Sequence, residues 1–106
     1  MFLFKIGNDE LKVHAKDPFG DGNELIIYLS RKVGTEWENL AFPSIYATQV
    51  TTKESTDLRL NQCIAVINTK IKELYGAGAV VPDNGFERIR YVLSNLISFQ
   101  DNKIVY

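Results

Sequence analysis

The sequence predicts an α+β domain: an antiparallel sheet of about four to six strands, followed by two consecutive helices packed on one of its faces. Three observations predict it. Apolar and polar residues alternate from Phe2 to about Val50, with Gly, Asn and Asp gathered at the breaks. The period then changes, and Leu60, Ile64, Ile67, Ile71 and Leu74 recur at helical spacing. A second helical stripe, Phe86, Ile89, Leu93, Leu96 and Ile97, follows Pro82.

Phe2, Phe4 and Ile6 share one face of a first strand. After the turn residues Gly7, Asn8 and Asp9, a second strand puts Leu11, Val13 and Ala15 on one face and Lys12, His14 and Lys16 on the other. That is the alternation of a hairpin with one wet face. DPFGDGN, residues 17–23, reads as a loop, and ELIIYLSR as a central strand with large residues on both faces. EWENLAF and SIYATQVT continue the meander, broken at Pro43, which removes a ladder donor and marks an edge, a bulge or a boundary. For the first helix, Thr51 with Glu54 forms a candidate capping box, Ser55 is a rival cap, and Gly76 stands where a left-handed terminator belongs. Asn84, with Glu87 three residues on, is the expected cap of the second helix. Gln100, Asp101 and Asn102 end that helix, and the last residues, KIVY, are expected to close the sheet as a short strand.

With 106 residues the chain is expected to fold as one domain spanning 1–106, since a domain of this size buries roughly two thirds of its unfolded surface. Twelve Lys and Arg stand against thirteen Asp and Glu, and the pI is about 5.8. That balance gives no drive toward nucleic acid or membranes. One cysteine, Cys63, makes no internal disulfide, and with one histidine it is too little for a closed zinc site, so a reducing cytoplasmic setting is expected. MFLFKIGNDE lacks the basic start and long apolar middle of a signal peptide, and no run reaches the ~20 apolar residues of a membrane span.

Four stretches carry candidate chemistry. GAGAVVPDNG, residues 76–85, has three glycines, but a helix precedes them where a phosphate loop needs a strand. No Lys-Ser or Lys-Thr pair follows Gly85, and Val81 stands where a dinucleotide fingerprint has its third glycine. The stretch therefore reads as a helix-to-helix connector, a contact loop if Val80 and Val81 are exposed and a corner if they are buried. DPFGDGNE has acids at the first and fifth positions of a calcium loop, yet Phe19 and Tyr28 occupy the third and twelfth, so hard oxygen ligands are too few. His14 lies on the wet face of the hairpin and Cys63 beside an apolar stripe, which leaves no positioned nucleophile and base. No catalytic residue, metal or cofactor is assigned.

Two surfaces remain. Lys5, Lys12 and Lys16 on the hairpin, with Arg88 and Arg90 near the start of the second helix, form a candidate nucleic-acid surface, opposed by the neighbouring acids and the low pI. Aromatic residues favour a protein partner: Trp37 between Glu36 and Glu38, with Tyr46, Phe19 and Asp21, resembles an interface anchor with a polar rim. The leading expectation is a small non-catalytic cytoplasmic protein-binding module, in the manner of phage- or mobile-element-encoded inhibitors of host proteins. A self-associating assembly or adaptor protein and a nucleic-acid binder are the alternatives.

Overall fold

The computed structural model describes residues 1–98 and 103–106. Five strands form one antiparallel sheet: β1 (Phe2–Ile6), β2 (Asp9–Lys16), β3 (Glu24–Val33), β4 (Glu36–Ala41) and β5 (Ser44–Tyr46). Each of the first four pairs with its sequence neighbour, giving the spatial order β1-β2-β3-β4. Gly7 and Gly34, both at positive φ, make the two tight turns, where a side chain would be strained. β4 and β5 lie end to end along the far edge of β3, against its residues 29–33 and 24–26. Phe42 and Pro43 interrupt them, and the Pro43 carbonyl still accepts from the Ile27 N–H at 2.9 Å, so the pair behaves as one edge strand with a proline break.

One face of the sheet carries Leu11, Val13, Ala15, Leu25, Ile27 and Leu29, all buried, with Phe2, Phe4 and Ile6 packed against them. Helices α1 (Lys53–Tyr75) and α2 (Glu87–Ser98) supply the other layer, through Leu60, Cys63, Ile67 and Ile71 of α1 and Ile89 and Leu93 of α2. Burial of these side chains is the main source of stability, at about 1.5–3 kcal/mol for each large one.

Several local expectations are corrected. The cap of α1 is Thr52, whose Oγ1 accepts from the Ser55 N–H at 3.1 Å while Ser55 Oγ accepts from the Thr52 N–H at 3.0 Å. Ser55 thus serves as the third residue of the box, and Thr51 with Glu54 does not form it. Leu74 is 42% exposed, and Tyr75 takes the last inward position, four residues after Ile71, donating from its hydroxyl to Asp9 Oδ2 at 2.7 Å. Asn84 does not cap α2, because residues Asp83–Phe86 form a separate 3-10 turn leading into the helix. That turn buries Phe86 and presses Gly85 against Phe2, where an added Cβ would meet ring carbon Cδ2 at 3.1 Å.

The segment 103–106 is not a strand. A backbone bond, Ile104 N–H to the Gly22 carbonyl at 2.7 Å, ties it to the 17–23 loop while Ile104 fills the core. The connector after α1 splits the two valines: Val80 is half exposed, whereas Val81 is buried and its N–H donates to Asn68 Oδ1 at 2.9 Å. Anchored in this way, it is a corner. The side chains of Leu96 and Ile97, and the expected helix stop at Gln100, Asp101 and Asn102, lie outside the described residues.

Candidate functional site

Both helices pack on one face of the sheet, so the strand alternation leaves every second side chain on a face that no element covers among the described residues. The register lays this open face out in rows. At one end Trp37, Lys32, Glu10 and Lys5 stand side by side across β4, β3, β2 and β1. Next come Asn39, Ser30, Lys12 and Leu3, and then Tyr28 beside His14. Ser44, Ile26 and Lys16 follow, and Tyr46 opposite Glu24 ends the face.

Three contacts organise it. The Lys12 ammonium sits 4.4 Å from the centre of the Trp37 ring, so the lysine stem, rooted on β2, reaches across β3. Ser30 is fully buried as a result, although it belongs to the open face, and its hydroxyl donates to Asn39 Oδ1 at 2.8 Å. His14 and Tyr28 meet edge to face at 4.9 Å between ring centres. Burial, then Lys12, the amino terminus and Lys16, push the His14 imidazole below its ordinary value, which favours the neutral ring. Lys32 pairs with Glu10 at 3.5 Å.

Trp37 and Tyr46 therefore both stand on the open face, but at opposite ends. Their partners on β3 are eight residues apart, roughly 26 Å at the rise of a strand. Glu36 and Glu38 point the other way, as neighbours of a strand residue must, and Glu38 pairs with Arg31 at 3.4 Å. Phe19 is 79% exposed in the 17–23 loop with Asp21, so the six residues expected as one protein contact do not form one patch. Lys5, Lys12 and Lys16 do share the open face, whereas Arg88 and Arg90 lie on α2 in the helix layer, with Arg88 over the Tyr106 ring at 4.9 Å. The parity of Tyr28 and Lys32 on β3 is visible in the sequence, but the strands they face are not, so their place on this surface emerges only from the pairing.

Elsewhere the chemistry is structural. Asp17 spends both carboxylate oxygens on the loop's own backbone, Oδ1 accepting from the Phe19 and Gly20 N–H groups and Oδ2 from Gly22 at 2.8 Å. Asp21 likewise accepts from Asn23. Among the described residues no three His, Cys, Asp or Glu gather to hold a metal ion. The sheet separates His14 from Cys63, which is fully buried and whose thiol is pushed up by that burial. No described helix is long and apolar enough to cross a membrane. The fold and this face define an α+β sheet domain with one bare, lysine- and aromatic-bearing side. No family model, no curated protein and no solved structure matches the chain.

Proposed function

We propose that the protein is a small non-catalytic binding module whose recognition surface is the open face of its sheet. The observation that supports this reading is the juxtaposition there of Trp37, Tyr28 and Tyr46 with four lysines, on a sheet whose other face alone builds the core. Cross-strand pairing gives these aromatics a small part in sheet stability, and aromatic side chains also bury large areas at low entropic cost when a partner arrives. Its working compartment on this reading is the reducing cytoplasm, in keeping with a lone buried thiol.

Retention of a partner from a lysate of the source organism tests the surface. The immobilised protein and its Trp37→Ala variant are compared with Val66→Ser, a change at a half-exposed position on the opposite layer. The expected outcome is a partner lost with Trp37→Ala and kept with Val66→Ser, both variants retaining the native circular dichroism spectrum. Retention indifferent to Trp37→Ala overturns the reading.

A further inference from the structure

The open face is divided lengthwise. Its aromatics, Trp37, Tyr28 and Tyr46, lie on the β3–β4–β5 side, and Lys5, Lys12 and Lys16 lie on the β1–β2 side. Along the strand direction the aromatics recur about every 13 Å, and the lysines span about 20 Å beside them. A chain with net charge -1 places four lysines and two glutamates here, and one of those glutamates, Glu10, is held by Lys32 at 3.5 Å. The other, Glu24, stands at the far end opposite Tyr46. The low pI of the whole chain thus conceals a cationic track, because the excess of acid lies in turns and on the other face of the strands, at Asp9, Asp17, Asp21, Glu36, Glu38 and Asp83.

Building on the reading that this face is the recognition surface, we propose that its occupant is a single strand of nucleic acid. The strand lies along β2 and β3, with phosphates over Lys5, Lys12 and Lys16 and bases over Trp37, Tyr28 and Tyr46. Single strands are held by this pairing of a positive track with stacking platforms. A duplex keeps its bases stacked on one another, which leaves three rings without a use, and among the described residues no element projects from this face to enter a groove. An acidic protein matches the charge, but lysine is depleted at protein interfaces, whereas here it accounts for half of the central strand's outward partners on the hairpin side. Lys12 has a double role: in the free protein its ammonium covers Trp37, and on binding it turns to a phosphate and uncovers the ring, exchanging a surface cation–π contact for a stronger base stack.

Fluorescence anisotropy of a labelled oligothymidylate of about 30 nucleotides, titrated at salt from about 50 to 200 mM, tests the assignment. With three phosphates contacted, log K should fall with log salt at a slope of about -2, and Lys16→Gln should flatten it by about 0.7. Tyr28→Ala should weaken binding about tenfold while leaving the slope unchanged. Two competitors complete the test, a duplex of equal length and polyglutamate, both expected to bind at least about tenfold more weakly. Absence of binding at the lowest salt, or equal binding of polyglutamate, overturns the nucleic-acid assignment. A lysate partner still lost with Trp37→Ala would then keep the recognition surface and make its occupant a protein. Tight strand binding indifferent to both Tyr28→Ala and Lys16→Gln overturns the placement on this face.

Discussion

At the scale of single residues, His14 is where the open face makes itself felt in stability. Burial and three positive neighbours hold its imidazole below the ordinary value, so between that lowered value and about 6.5 the unfolded chain binds a proton that the folded chain refuses. His14 therefore leaves stability intact above the unfolded value and removes it as pH falls through the folded one. The urea midpoint of the wild type should drop more between pH 7 and pH 5 than that of His14→Asn; equal drops would show that the imidazole titrates normally. Alternation in the sequence made the faces of Lys5, Lys12, His14 and Lys16 legible one by one. The same rule was open to Trp37, whose flanking Glu36 and Glu38 fall on the other face of β4, so they were never the rim of its patch. What no single strand reveals is which residue stands opposite, and Tyr28 and Lys32 gain their meaning only from His14, Glu10 and Trp37 across the ladder.

Among the elements, α1 has a start set by one side-chain pair. Thr52 and Ser55 exchange two hydrogen bonds there, and Thr52→Ala should cost about 1 kcal/mol in chemical denaturation, whereas Thr51→Ala should stay within about 0.5 kcal/mol. Helix existence was legible because Leu60, Ile67 and Ile71 form a stripe whatever they pack on. The ends were less so, since Thr51, Thr52 and Ser55 all have capping chemistry and only the entry angle of the chain from Val50 chooses between them. The far end of α1 shows the same limit. Leu74 and Tyr75 both fit an apolar stripe, and Tyr75 faces inward because its hydroxyl finds Asp9 at the start of β2. Burial and that carboxylate raise the Tyr75 phenol, which keeps it a donor. The proline break between β4 and β5 is legible in the sequence as an interruption, but that both pieces serve one edge of β3 is not.

For the whole molecule, the two halves of the chain are joined at both ends of the sheet, by Tyr75 to Asp9 at one and by the terminal segment to the 17–23 loop at the other. Gly22 is the pivot of the second joint. Its φ is +76, its N–H donates to Asp17, its carbonyl accepts from Ile104, and an added Cβ would stand 2.8 Å from Lys103 Cβ. Gly22→Ala should cost about 1–3 kcal/mol and release the terminus, read as faster hydrogen exchange at the Ile104 amide with β2 and β3 amides less affected. Fold class followed from periodicity alone, whereas the gathering of four lysines on one face did not, because a net charge of -1 averages over a geometry that only strand pairing creates. Pairing between sequence neighbours also has a consequence for synthesis. All strand partners have been made once Tyr46 leaves the ribosome, yet the helices that cover Leu25, Ile27 and Leu29 take roughly 2–10 s longer at ordinary elongation rates. For that interval the strand segments are exposed without their cover, and their apolar side chains, Leu25, Ile27 and Leu29 among them, are what a chaperone at the exit tunnel would meet first.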